Sequence, residues 1–235
     1  MEELINGAST IGLYVIPAVG LMLIARKLLK VPDELFRKIL HFILLGAYVP
    51  FLFAFETWWI SVGVVLTLAI LLYPALTLAG RIPAFSSFVN EREKGEFKDS
   101  MVLALGVMIV SISIGWGLVG DRFLVLASVY AWGVGDAFAA LIGKKFGKHK
   151  IKWKFADNHK SIEGSLAMFM TSAIAVFIVL FVRGGLGLFS CILIAVTAAA
   201  VCTMVELSTN NGFDTVSCPG VAMVVILPLI ALLGG

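Results

Sequence analysis

TWWISVGVVLTLAILLYPALTLA, residues 57–79, runs for twenty-three positions without one charged side chain. At a rise of ~1.5 Å per residue a helix of that length crosses the ~30 Å hydrocarbon layer of a bilayer. Comparable apolar runs occupy 9–29, 35–55, 100–120, 122–143, 161–182 and 185–207, and a shorter eighth covers 219–233. With 60% hydrophobic residues, 14% charged residues and a mean hydropathy of +1.02, the chain carries more apolar surface than one soluble core could bury. The expected fold is all-α: a polytopic transmembrane helix bundle of seven or eight helices, organised as one integral membrane domain over 1–235. The first run reads as a retained span and not a cleaved signal, because Glu2 and Glu3 precede it, Arg26 and Lys27 follow it, and it is too long. Cys191, Cys202 and Cys218 are odd in number and lack metal-ligand spacing, so no disulfide framework follows from them.

Charge is placed unevenly between these runs. Of the eighteen Lys and Arg residues, sixteen fall in alternate connections: Arg26 to Lys38, Arg81 to Lys98, and Lys144 to Lys160. The positive-inside rule then puts those connections in the cytoplasm and the N-terminus outside. The two long loops, near 80–99 and 144–160, are both expected on the cytoplasmic side, and a site on the protein is expected to face the same way. No internal repeat suggests the paired halves of a secondary transporter, and no nucleic-acid partner is expected.

Several polar residues are ones a bilayer would not select. Asp136, in YAWGVGDAFAALIGKKFGK, lies about seven residues inside the end of the fifth run, and an ionised carboxylate there is costly unless paired, hydrated or bound to a cation. Gly133, Gly135, Ala137, Ala139, Ala140 and Gly143 around it would let either a ligand or another helix approach the backbone. In NHKSIEG, Ser161 is placed to cap the sixth apolar helix and Glu163 falls in its first turn, where the helix dipole favours negative charge. Asn158, His159 and Lys160 crowd the same helix start, where a cation is unfavourable unless an anion joins it. A helix N-terminus with added basic groups suits phosphate. Interfacial snorkelling accounts for most lysines between 144 and 154, with Lys144 the better ligand candidate. In FRKILHF, Arg37 and His41 share a helix face, with Lys38 beside them. Glu206 ends the seventh run, where a helix C-terminus repels a carboxylate, and Asp214 follows in NNGFDTVSCP. Asp136, Glu206 and Asp214 near one membrane face suit a hard cation such as Mg²⁺, which takes one or two carboxylates together with phosphate oxygens. Pairing with the basic loops is the alternative.

Taken together, RKILH at 37–41, GVGDAFAALIGKKFGKHKI followed by HKSIEGSLAMF, and a late Glu with GFDTVSCP resemble the dolichol kinase/phytol kinase family of CTP-dependent polyprenol kinases. The resemblance covers most of 37–220 and is most specific between Gly135 and Gly164. It implies a multi-helix membrane enzyme that moves the γ-phosphate of CTP to an isoprenoid alcohol with Mg²⁺. On matching positions it implies catalytic roles for Asp136, Lys160, Glu163 and His41. Nucleotide contacts are implied at Gly135, Asp136, Lys144, Lys148, His159, Lys160, Ser161, Arg37 and Lys38. Metal contacts are implied at Asp136, Glu206 and Asp214. The family often has Asp-Asn where this chain has Asp214-Thr215.

Phosphoryl transfer needs positioning and charge neutralisation more than covalent chemistry, and basic loops, a helix N-terminus and a metal-holding acid supply both. Neither a Walker Gly-x-x-x-x-Gly-Lys-Ser/Thr motif nor a protein-kinase signature is present. The competing enzyme class is phosphatidate cytidylyltransferase, whose signature shares the Gly-Asp, Gly-Lys and Lys-Ser-x-Glu-Gly elements. A lipid or ion transporter would also use an intramembrane Asp136, but it would place the acid at mid-membrane between repeats.

Overall fold

The computed structural model describes residues 2–28, 31–89, 95–151, 160–209 and 213–234. Lys30, Arg92, Lys94, Lys152, Lys154, Asn158 and His159 lie outside these. Among the described residues the chain is helical, with one isolated antiparallel bridge between Lys150 and Ser161. Eight helices are long and apolar enough to cross a membrane. The protein is therefore an all-helical, multi-pass membrane protein, and the short eighth run is a full member of the set. By its internal contacts the chain divides into two compact units, Met1–Leu118 and Val119–Gly235.

The first unit contains α1 (Glu2–Lys27), α2 (Asp33–Phe53), α3 (Trp58–Ala79), the short α4 (Pro83–Val89) and α5 (Glu96–Ser111), which continues as a π-helical segment, Ile112–Leu118. The expected loop at 80–99 is thus partly helical: α4 lies inside it and α5 begins at Glu96. Gly95, with φ of 89°, supplies the left-handed turn that lets α5 start there. Thr57 stands at the N-cap of α3, but its own side chain does not cap. Glu3 of α1 holds the approach to this helix, accepting hydrogen bonds from the backbone N–H groups of Glu56 and Thr57, both at 3.0 Å. α1 packs on α2, and α3 packs on α5 and the π segment. Phe36, Leu52, Phe55, Met108 and Ile112 are the largest side chains enclosed by this unit.

The second unit is a four-helix arrangement of α6 (Arg122–Phe146), α7 (Ile162–Arg183), α8 (Leu188–Ser208) and α9 (Asp214–Leu232). α6 packs on α7 and α9, and α8 packs on α7 and α9. Asp121 caps α6 by accepting from the N–H groups of Phe123 at 2.9 Å and Leu124 at 3.1 Å. The same carboxylate pairs with Arg183 Nε at 2.7 Å, tying the start of α6 to the end of α7. Gly184 and Gly185, at φ of 73° and 79°, then reverse the chain into α8. Because the helices alternate in direction, the end of α6, the start of α7, the end of α8 and the start of α9 gather at the other end of the unit.

Small residues decide how closely α6 and α7 approach. A Cβ added to Gly135 would lie 2.2 Å from Ser172 Oγ and 2.9 Å from Met168 Cγ. One added to Gly164 would lie 3.0 Å from the Ala139 carbonyl oxygen and 3.3 Å from Gly143 Cα. Ser172 donates its hydroxyl hydrogen bond to the Ala131 carbonyl, so the contact carries a polar link as well as close packing.

Candidate functional site

The gathered end of the second unit holds the polar residues that its membrane environment makes expensive. Lys160, just ahead of α7, extends its ammonium to the last turn of α8. There it pairs with Glu206 Oε1 at 3.1 Å, donates to the Thr209 carbonyl at 2.9 Å, and also donates to the Glu206 carbonyl. The two side chains are 18% and 14% exposed, so the pair is largely withdrawn from solvent. A lysine has three N–H donors, and three acceptors engage this one. Both electrostatic misfits noted in the sequence are answered by this contact. The cation at the start of α7 has its anion in Glu206, and the carboxylate at the end of α8 has its cation in Lys160, which also donates to backbone carbonyls at that helix end.

Two further carboxylates bear on Glu206. Asp136 of α6 and Asp214 at the start of α9 both lie within electrostatic range of Glu206. Asp214 Oδ2 accepts a hydrogen bond from Trp132 Nε1 at 3.0 Å. Trp132 lies one helical turn before Asp136 and is buried, so a single face of α6 presents Asp136 and orients Asp214. α6 continues to Phe146, ten residues past Asp136, which sets the acid ~15 Å from that helix end, deeper than the expected seven residues.

The remaining sequence candidates have their own surroundings. Ser161 caps α7, its Oγ accepting from Gly164 N–H at 3.2 Å, and the residue is 3% exposed. The hydroxyl sits beside Gly143, Gly147 and Gly164. Gly135 likewise serves the α6–α7 contact: the space beside its Cα is filled by Ser172 and Met168. Glu163 is engaged by His149, whose Nδ1 lies 2.7 Å from Oε1 and whose backbone N–H approaches the carboxylate at 3.3 Å. With Ile151 N–H donating to the Lys160 carbonyl and Ile162 N–H to the His149 carbonyl, both at 3.0 Å, the chain is pinched on either side of 152–159. Lys144 and Lys148 are exposed, at the end of α6 and just beyond it. Arg37, Lys38 and His41 belong to α2 of the first unit, where Arg37 Nη2 pairs with Glu96 Oε1 at 3.2 Å.

Trp132 and His149 were not among the sequence candidates. The i, i+4 spacing to Asp136 was a usable signal for Trp132. None existed for His149, fourteen residues from Glu163. Among the described residues, no group of three or more His, Cys, Asp and Glu side chains is close enough to hold a metal ion by itself. The donor set is all oxygen, and Mg²⁺ takes one or two carboxylates completed by phosphate oxygens and water. Asp136, Glu206 and Asp214 would supply only part of such an ion's ligands. Comparison with models of known families, with curated proteins and with solved structures found no match to this chain.

Proposed function

We propose that this protein is a membrane lipid kinase that transfers the γ-phosphate of CTP to an isoprenoid alcohol such as phytol, geranylgeraniol, dolichol or another polyprenol, at the cytoplasmic face. The observation that supports the reading is the Lys160–Glu206 pair at one end of the four-helix unit, with Asp136 and Asp214 within electrostatic range of Glu206. A lysine and carboxylates largely withdrawn from solvent are residue types that phosphoryl transfer uses to position and neutralise phosphates. The nucleotide, the alcohol and the kinase chemistry rest on the family resemblance between Gly135 and Gly164; the cytoplasmic orientation rests on the distribution of Lys and Arg.

In this reading Lys160 holds the transferring phosphoryl group, and Asp136, Glu206 and Asp214 supply the carboxylates that hold the metal-nucleotide. Mg²⁺ carried on the phosphates would neutralise charge that develops on their oxygens. The alcohol oxygen attacks the γ-phosphorus in line while the bond from that phosphorus to the β–γ bridging oxygen breaks. CDP leaves with the bonding electron pair, and the hydroxyl proton passes to a carboxylate of the cluster. The surrounding bilayer delivers the apolar chain of the substrate and excludes water from the acceptor side.

Purified protein with γ-labelled CTP, Mg²⁺ and a panel of lipid alcohols tests the proposal. Label on the lipid with CDP as the other product supports it. Label in pyrophosphate, with cytidine on the lipid, replaces it with the cytidylyltransferase reading. Absence of any nucleotide turnover across the panel overturns both.

A further inference from the structure

We propose that His149 and Glu163 are positioning residues for Lys160: they clasp the chain leaving α6 onto the start of α7, and the clasp presents the Lys160 ammonium to the end of α8. Only the turnover arm of the test below rests on the function proposed above, through the phosphoryl contact assigned there to Lys160. Glu163 holds His149 at two points. Its Oε1 lies 2.7 Å from Nδ1, which must donate because a carboxylate only accepts, and the backbone N–H of His149 approaches both carboxylate oxygens at 3.3 Å. One carboxylate thereby fixes both the side chain and the main chain of His149.

His149 in turn closes on α7. Its carbonyl takes the N–H of Ile162, the first residue of that helix, at 3.0 Å, and the Lys160 carbonyl takes the N–H of Ile151 at 3.0 Å. These bonds flank the bridge between Lys150 and Ser161. Gly147 permits the approach, since a Cβ there would lie 2.6 Å from Ser161 Oγ and 2.9 Å from Ser161 Cβ. Three constraints converge on Lys160: the bridge holds its carbonyl, the next residue caps α7 through Gly164 N–H, and its ammonium reaches Glu206 and Thr209. Fixing the main chain on both sides is what aims so long and flexible a side chain at one place.

The clasp also changes what the start of α7 can offer. The N–H groups of Ile162 and Gly164, two of the orphan donors of a helix start, are taken by the His149 carbonyl and by Ser161 Oγ. Charge for a phosphate then comes from the lysine more than from that helix end, and the lysine's placement decides how it is delivered. The two clasp residues contribute unequally. The His149 side chain is 75% exposed, so the imidazole contact alone is weak; Glu163 is 26% exposed and holds the backbone N–H as well.

The test reads the position of the ammonium directly. Protein in detergent is treated with an amine-reactive ester, and acylation of Lys160 is followed by mass spectrometry against exposed Lys144 as the reference. Glu163→Ala should speed acylation of Lys160 about tenfold, the equivalent of one charge-assisted hydrogen bond, and His149→Ala should speed it about threefold, as an exposed contact allows. The double variant should match Glu163→Ala, because both changes open one clasp. His149→Asn, whose amide N–H stands near where Nδ1 does, and Glu163→Gln, which keeps an acceptor oxygen, should return the rate toward wild type. With γ-labelled CTP the two alanine variants should raise KM for CTP in the same order, and the two conservative variants should recover it. Unchanged acylation of Lys160 in folded Glu163→Ala overturns the proposal. So does a Glu163→Gln protein in which Lys160 stays protected while turnover is lost, which would place Glu163 on the reacting groups. No turnover by wild type would end the kinase reading and leave the acylation rates to decide the clasp by themselves.

Discussion

Replacing Gly135 with alanine separates two meanings of the small residues around Asp136. If Gly135 is small so that α7 can approach, the new methyl should destabilise the fold; if it is small so that a ligand can approach, the methyl should cost binding and leave the fold alone. The added Cβ would sit 2.2 Å from Ser172 Oγ, 2.9 Å from Met168 Cγ and 3.4 Å from the Met168 carbonyl oxygen. The first distance is far inside van der Waals contact, so the helices must part or Ser172 must turn away from the Ala131 carbonyl. Overpacking of this kind costs about 1–3 kcal/mol, and losing the Ser172 hydrogen bond adds about 1 kcal/mol. For a chain of this length each kcal/mol lowers Tm by about 2–4 °C. Cys191, Cys202 and Cys218 are all free, buried and in the second unit, so a thiol-reactive fluorophore in detergent reports its unfolding directly. Ser172→Ala combined with Gly135→Ala should recover part of the loss, because the nearest clash is gone and Met168 is flexible enough to yield the next. An unchanged Tm with lost activity would refute the packing argument and return Gly135 to the ligand.

Three other outcomes follow from the same geometry. Ser161→Ala should lower stability by about 0.5–2 kcal/mol through loss of the α7 cap, read in the same thermal assay, and a wild-type Tm would mean that the Gly164 N–H finds another acceptor. Asp136→Asn should abolish phosphoryl transfer from γ-labelled CTP with Tm near wild type, whereas full activity would remove Asp136 from the site. In a background lacking the three native cysteines, a cysteine replacing exposed Lys150 should react with an impermeant maleimide only from the cytoplasmic side, as the distribution of basic residues requires; labelling from outside alone would invert the topology.

The spans were legible because bilayer thickness imposes one length on every crossing helix, and uninterrupted apolar runs of that length have few other uses. The eighth was the weakest reading, since apolar residues begin only near Pro219. In the structure α9 starts five residues earlier, at Asp214, whose carboxylate takes the Trp132 N–H. A polar helix start is invisible to hydropathy when its partner lies on another helix. The helical parts of the connection at 80–99 were hidden for a related reason: α4 and the first turn of α5 are short or polar segments that do not need an apolar run to form.

The site was legible residue by residue and not as an arrangement. Asp136, Lys160 and Glu206 each stood out because burial or a helix end made its charge costly, and Asp214 because no basic residue lies near it in sequence. What stayed hidden was that Lys160 and Glu206, forty-six residues apart, answer one another. A cation at one helix start and an anion at another helix end are each unfavourable alone, and antiparallel helices bring such ends together. Two misfits of opposite sign at the same membrane face are thus a signal for a contact before they are a signal for a ligand. That ordering makes Lys160→Met decisive. The change leaves Glu206 withdrawn from solvent without its cation and should lower Tm; loss of CTP turnover in protein that remains folded would add a ligand role to the contact, and an unchanged Tm would refute the argument from helix ends.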